Sequence, residues 1–201
     1  MTVAEQIRAV QSVLGITPDG VAGPVTWRAI HARICGEFAK QPRPTQGFTV
    51  DPRSAKNISG LMEPLQRTAE AFLERCQAEG LGVKIICGVR TFAEQDALYA
   101  KGRTITGDVV TKAKGGQSWH NFGLAFDIGV FSHAGDYLEN SPNYAAAGRI
   151  GESLGLEWGG RWTRMPDAPH FQWRPPWAIG LSDSAVLSEL NRTRSRGVRT
   201  A

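Results

Sequence analysis

The ten-residue run Ser118-Trp-His120-Asn-Phe-Gly123-Leu-Ala125-Phe-Asp127 and the short segment Asp167-Ala-Pro-His170, forty residues further on, together carry two imidazoles and two carboxylates. This pairing constrains the fold more than any other feature, because the groups serve one chemistry only if the chain turns back and sets the segments side by side. Two neutral imidazoles and one carboxylate fill three positions of a tetrahedron and leave the fourth for water, the open arrangement of catalytic rather than structural zinc. The second acid is then spare.

The chain has four histidines, at 31, 120, 133 and 170. His31 falls on a short N-terminal helix and reads as a surface residue, whereas His133 follows a strand in a loop, either exposed or at a site rim. His120 and His170 lie among glycines, aromatics and carboxylates. A histidine with an acid nearby is more often structural than metal-bound, so the residue types alone leave both readings open. Gly123 permits a tight turn between His120 and the strand of Asp127, and Ala125 leaves room beside it. Pro169 disfavours helix at Ala168, so Asp167 and His170 span a bend at the entry to a strand.

The remaining pattern predicts separate runs of helix and strand rather than regular βαβ alternation, hence an α+β fold, a small antiparallel sheet with flanking helices. A helix is expected from Ala4 to Leu14, a turn at Thr17-Pro-Asp-Gly20, and a second helix after Gly23-Pro24 carrying Trp27, Ile30 and Ile34. Pro42, Pro44 and Gly47 mark a linker. One long helix is predicted from Ile58 through Cys76, a strand over Val83–Cys87, and a helix after Arg90 running to Tyr99. Residues 101–117 read as a loop, Leu124–Val130 as a buried strand, Tyr144–Leu154 as a helix, Leu156–Trp162 as extended, and His170–Trp173 as a final strand. A helix over Ser182–Leu190 and a basic tail with Arg192, Arg194, Arg196 and Arg199 complete the chain. The expected organisation is a short helical module at 1–36, a linker at 37–51, the main domain at 52–178, and a C-terminal helix with tail at 179–201.

Cys35, Cys76 and Cys87 form no C-x-x-C pair, so neither a disulfide framework nor a cysteine-ligated zinc is indicated, and they read as buried reduced thiols. The net charge of +4 points to an anionic partner without choosing among nucleic acid, membrane and wall polymer. No recognised nucleic-acid module accompanies it. The start, Met1-Thr-Val-Ala-Glu-Gln-Ile-Arg, lacks a basic segment leading into an apolar stretch, so synthesis in the cytoplasm without a signal peptide is expected.

The ordered set Ser118-x-His120-x-x-Gly123-x-Ala125-x-Asp127 and Asp167-x-Pro-His170 resembles the LAS metallopeptidases, named for lysostaphin, D-alanyl-D-alanine peptidases and sonic hedgehog. Gly88-Val-Arg90-Thr-x-x-Glu-Gln95-x-x-Leu98-Tyr99 and Gly155-Leu-Glu-Trp158-Gly159-Gly160-x-Trp162 extend the likeness across about Asp51 to Trp173. The Trp-Gly-Gly-x-Trp and Asp-x-Pro-His segments look most like phage endolysins and bacterial enzymes that cut the L-alanyl-D-glutamate bond of peptidoglycan. Gln11-Ser-Val-Leu14-Gly15, Asp19-Gly20 and Gly23-Pro24-Val-Thr26-Trp27 resemble an abbreviated peptidoglycan-binding repeat.

The resemblance implies Zn2+ held by His120, Asp127 and His170, with Asp167 as general base and Arg90 binding or polarising a substrate carbonyl or carboxylate. Ser118, Gln95 and Trp158 are implied to touch substrate or to support the ligands. Where relatives cutting dipeptides or terminal residues commonly place glutamate, this chain has Asp167, which favours an endopeptidase; Val89 stands where relatives often have an aromatic residue. The implied partner is bacterial peptidoglycan, met by a monomer acting after passage through a permeabilised membrane; the basic tail reads by its charge as a solvated or disordered end, with attachment to anionic wall or outer-membrane components as the alternative. The alternatives are a D-alanyl-D-alanine carboxypeptidase and a non-catalytic wall-binding protein.

Overall fold

Along Ala125-Phe-Asp-Ile-Gly-Val130, small or polar residues alternate with large apolar ones, so a strand built from it has one narrow polar face and one packing face. In the computed structural model this segment is strand β2 (Ala125–Val130), flanked by β1 (Val83–Cys87), β3 (Glu157–Trp158) and β4 (His170–Gln172) in the antiparallel order β1-β2-β4-β3. The structure describes residues 1–23, 26, 27, 29, 30 and 48–195. By its contacts the chain divides into two units, Met1–Pro42 and Arg43–Ala201.

In the first unit, helix α1 (Val3–Val13) opens with a reciprocal cap between Thr2 and Glu5. Its buried Gln11 organises the Asp-Gly turn: the side-chain amide donates to Asp19 Oδ1, the Val21 carbonyl and Thr26 Oγ1, and its oxygen accepts from Gly20 N. Much of the second helix predicted for this module, with Ile34, His31 and Cys35, lies outside the described residues, as do residues 37–47 of the expected linker.

The second unit begins with α2 (Pro52–Ser59), capped by Asp51, and α3 (Glu63–Ala78). The sequence pattern predicted one helix from Ile58 through Cys76; the structure has two, broken at Gly60–Met62. The break frees Met62 N to donate to the Gly123 carbonyl at 2.9 Å, joining the helices to the turn beside His120. Helix α2 also covers the open edge of the sheet, since Ser54 Oγ accepts from Ile85 N and Asn57 donates to the Ile85 carbonyl. An uncovered edge would leave these backbone groups as a template for association.

Helix α4 (Phe92–Ala100) follows β1, with a reciprocal cap between Thr91 and Glu94, and α5 (Asn143–Ser153) precedes β3. The core lies on the face of the sheet bearing Phe126, Ile128 and Phe171, all fully buried, against Phe72 of α3. The Phe72 ring centroid lies 5.7 Å from that of Phe126 and 5.0 Å from that of Phe171. Gly148 and Gly151 let α5 approach this face, for a Cβ there would sit 2.5 Å from the Trp158 ring and 2.4 Å from Phe171.

The segment Leu156–Trp162, predicted to be extended, is a strand for Glu157–Trp158 only. Gly159–Arg161 turns into a 3-10 helix, as the Trp162 N to Gly159 carbonyl bond requires. Helix α6 (Asp183–Ser195) runs past its predicted end and absorbs two arginines of the expected basic tail. Arg192 pairs with Glu189 and the Arg194 guanidinium lies 4.4 Å from the Phe92 ring centroid, while Arg196 and Arg199 lie outside the described residues. Among the described residues no helix is long and apolar enough to cross a membrane.

Truncating Phe72 removes the ring that joins α3 to both central strands. The substitution Phe72→Ala is expected to cost about 3–5 kcal/mol, the usual range for a buried phenylalanine. Urea unfolding of the metal-free protein measures it, and a loss below about 1 kcal/mol would mean that the core does not rest on this cluster.

Candidate metal centre

The site stands on the polar face of the sheet. Cys87 of β1 pairs with Asp127 of β2, and Asp127 pairs with His170 of β4, so the three occupy one row across three adjacent strands. The register of β1 slips between Ile85 and Cys87. Such a bulge re-aims the side chains that follow it, and here it brings Cys87 opposite Asp127. His120 reaches the same row from a 3-10 turn, Trp119–Phe122, that ends at Gly123 in the left-handed region with φ of 68°. Gly123 therefore supplies the reversal expected of it, at a backbone conformation that other residues rarely adopt.

Three donor atoms converge. His120 Nε2 lies 3.1 Å from Asp127 Oδ1 and 3.2 Å from His170 Nδ1, and His170 Nδ1 lies 3.1 Å from Asp127 Oδ1. Their surroundings fix which ring nitrogens carry hydrogen. His120 Nδ1 meets the Gly88 carbonyl at 2.8 Å, an acceptor only, so that nitrogen donates and Nε2 keeps its lone pair. Gln172 Nε2 donates to Glu157 at 2.7 Å, which turns Gln172 Oε1 toward His170 Nε2 at 3.1 Å. His170 Nε2 must donate there, leaving Nδ1 with its lone pair.

Two nitrogen lone pairs and a carboxylate oxygen thus face one another at about 3 Å with no hydrogen supplied between them, a repulsive arrangement unless a cation joins it. Zinc with donors at about 2.0–2.1 Å has tetrahedral donor–donor edges of about 3.3 Å. The donor set and its spacing fit such an ion. The hydrogen bonds from the outer ring nitrogens to Gly88 and Gln172 are the kind that orient metal-binding histidines.

Cys87, read from sequence as a buried reduced thiol, is only half-buried and is the main residue that sequence reasoning missed. Its sulfur lies with donor atoms of His120 and Asp127 in a group whose members are all within 4.8 Å of one another. Of the two possible third donors, His170 is the better placed, because its Nδ1 is near 3 Å from both partners. The available signal was the position of Cys87 at the end of a strand, three residues before Arg90. Cys76, by contrast, is fully buried, and burial pushes its thiol up to about 12.

Arg90 is more enclosed than expected. Nη2 donates to Asp127 Oδ2 at 3.1 Å and contacts Cys87 Sγ at 3.4 Å, while Nη1 donates to Gln95 Oε1 at 2.8 Å. Both terminal nitrogens meet the chain's own groups, so the guanidinium holds Asp127. Gln95, 0% exposed, extends the support by donating to the Ala113 carbonyl. Asn121 was also missed: its oxygen accepts from Gly116 N and Ser118 N, and its amide donates to the Arg90 carbonyl. Ser118 thus enters the arrangement through its backbone.

Asp167 stands exposed on the loop leading to His170. That loop is pinned by Trp158, whose Nε1 donates to the Ala168 carbonyl at 2.8 Å, and by Asp167 N donating to the Gly159 carbonyl at 3.0 Å. A Cβ on Gly159 would meet the Asp167 carbonyl at 2.6 Å, and one on Gly160 would meet the Trp158 ring at 2.2 Å. The paired glycines therefore permit the loop to approach. Trp162 packs 5.0 Å from the His170 ring.

Charge differentiates the two acids. Asp127 is half-buried, and the desolvation disfavours its charge, yet His120 and His170 overcome this and hold it well below the usual carboxylate range. Desolvation raises Asp167, followed by repulsion from Asp127, with His170, His120 and Arg90 opposing. One carboxylate is built to stay ionised and the other leans toward accepting a proton.

The sequence profile of a family described as D-alanyl-D-alanine carboxypeptidase matches residues 111–173. Over 126 residues, 58% of this chain and 75% of the relative, the chain is 36% identical to the peptidoglycan L-alanyl-D-glutamate endopeptidase CwlK of Bacillus subtilis (strain 168). It is 29% identical over 124 residues, 60% of this chain and 40% of the relative, to the L-alanyl-D-glutamate peptidase of Listeria phage A118. Among solved structures, the Serratia marcescens L-Ala D-Glu endopeptidase ChiX aligns with a TM-score of 0.48 and 24% identity, covering 61% of this chain and 86% of that one.

Metal and proton compete for this cluster. In the metal-free protein burial disfavours the charged His120 ring, but Asp127 prevails and raises it from 6.5 to about 9. A folded-state value above the unfolded one contributes stability that is complete below the unfolded value and is lost as pH rises through the folded one. The chelator-treated protein is therefore expected to lose melting temperature as pH rises from 6.5 to about 9. Zinc-loaded protein, with metal replacing the proton, should not show that decline; parallel melting curves would overturn the assignment.

Proposed function

The chain belongs to the M15 peptidase family, and from that premise we propose that it is a zinc-dependent peptidoglycan hydrolase that cuts the L-alanyl-D-glutamate bond of the stem peptide. The observation that carries the chemistry is the meeting of three lone-pair donors, with a second, exposed carboxylate near enough to feel the charge of Asp127. The choice of bond is supported by the two relatives named for it.

His120, Asp127 and His170 would hold the ion through Nε2, Oδ1 and Nδ1. Zinc, when bound, supplies Lewis acidity that polarises a carbonyl and acidifies water. Asp167 takes a proton from the attacking water and returns it to the departing amine, so one residue serves as base and then acid. Arg90 keeps Asp127 ionised and oriented, with Gln95 fixing the guanidinium. Trp158 and the Gly159-Gly160 pair hold the backbone from which Asp167 reaches the site. Trp162, 38% exposed beside His170, offers an apolar wall to the substrate.

The description of the matching family favours a second reading, removal of a terminal D-alanine by the same chemistry. A lysis role at the end of a phage cycle is part of the proposal, in keeping with the phage origin of one relative.

On purified peptidoglycan, mass spectrometry should find muropeptides with a new amino terminus at D-glutamate; loss of terminal D-alanine alone would support the second reading. Release of no amino groups by zinc-loaded protein would leave only wall binding. Asp167→Asn is expected to retain zinc and lose about 10²- to 10⁴-fold in turnover, and full activity in that variant would remove Asp167 from the mechanism.

A further inference from the structure

The outer nitrogen of His170 leads into a longer polar chain than a metal-binding histidine requires. Gln172, 1% exposed, accepts from His170 Nε2 at 3.1 Å and donates to Glu157 at 2.7 Å. Gln172 and Glu157 stand directly opposite each other on β4 and β3, so the antiparallel register itself sets this contact. Beyond it, Arg174 grips Glu157 through Nε to one carboxylate oxygen and Nη2 to the other. Arg174 Nη2 also donates to Asp183 in the first turn of α6, and its guanidinium lies 5.0 Å from the Trp119 ring centroid, next in sequence to His120.

A carboxamide is symmetric enough in shape to be held either way round, and the two orientations have opposite consequences here. With its oxygen toward His170, Gln172 demands a hydrogen on Nε2 and leaves Nδ1 free for a metal; reversed, it would offer a donor to Nε2 and favour hydrogen on Nδ1, which blocks the site. Only an acceptor on the far side of Gln172 selects the first orientation. Glu157 is that acceptor, and Arg174 prevents the carboxylate from swinging into solvent.

We propose that Glu157, clamped by Arg174 and acting through Gln172, is a positioning residue that selects the metal-binding tautomer of His170. The inference rests on the reading of His120, Asp127 and His170 as zinc ligands. It gives the two-residue strand β3 two tasks: Glu157 sets the tautomer of His170, and Trp158 pins the loop that delivers Asp167. It also joins α6 to the metal centre through Asp183.

The test is zinc affinity of the full chain, measured by competition with a chromophoric chelator, alongside the melting temperature of the metal-free protein. Loss of an outer partner typically weakens metal binding about 10- to 100-fold. Gln172→Leu is expected within that range, Glu157→Gln at about 10-fold and Asp183→Asn at less than about 3-fold, a gradient along the chain. In the Gln172→Leu background Glu157→Gln should add nothing further, since Glu157 acts only through Gln172.

A purely structural Glu157 would instead lower the metal-free melting temperature and leave zinc affinity unchanged, and that result would overturn the proposal. Additive losses in the double variant would overturn it too. Should Gln172→Leu fail to fold, Glu157→Gln at the half-exposed end of the chain decides by the same pair of measurements. Wild-type protein that binds no zinc would defeat the metal reading itself, whereas wild-type binding matched by every variant would defeat only the inference about Glu157.

Discussion

Two nitrogen lone pairs and a carboxylate oxygen, held about 3 Å apart, repel one another, and much of the second unit is arranged to keep them there. Each histidine is prevented from relieving the repulsion by moving its hydrogen inward. The Gly88 carbonyl claims the outer hydrogen of His120, and Gln172 claims that of His170. Arg90 draws the second oxygen of Asp127 outward and helps to keep the group charged. A cation, either a metal or a proton, is the component that makes this geometry favourable.

The supports differ in kind on the two sides. Around His120 they are turns: Gly123 reverses the chain, Asn121 ties it to the Arg90 carbonyl, and the gap between α2 and α3 accepts the Gly123 carbonyl. Around His170 they come from close packing. Gly159 and Gly160 leave room for the Asp167 loop against Trp158, while Gly148 and Gly151 let α5 fill the space on the far side of the sheet. A methyl group at any of these positions meets a ring or a carbonyl well inside van der Waals contact. The exposed acid therefore sits on a constrained backbone, which suits a group that must meet a reacting atom at hydrogen-bond distance.

The strands and most helices were legible because their periodicity is local. Val83–Cys87 and the β2 segment carry their own alternation or β-branched content, and Thr91 with Glu94 announces a helix start. Errors arose where long-range contacts overrode the local pattern. Gly60–Met62 lies in a helical rhythm yet breaks to meet Gly123, and Gly159–Arg161 leaves the extended path so that Trp162 can cover His170. Arg192 and Arg194 read as a charged tail but continue α6, where one has an ion-pair partner and the other an aromatic ring. For Gly60–Met62 and Arg194 the deciding neighbour is distant in sequence, whereas Arg192 pairs with Glu189 inside its own helix.

The sequence by itself determined the inventory of the site: the imidazoles of His120 and His170, the carboxylates of Asp127 and Asp167, and glycines and a proline where the chain must turn. Those identities follow from side-chain chemistry and short-range backbone sterics, which a string of residues already contains. Only the tertiary structure decided that Cys87 faces Asp127, that Arg90 turns inward to the same carboxylate, and that Glu157 stands behind Gln172. Strand register set these relations: a bulge in β1 aligned Cys87, and the pairing of β3 with β4 aligned Glu157. Register is fixed by the burial of Phe126, Phe171 and Phe72 on the opposite face, because a one-residue slip would turn that face to water.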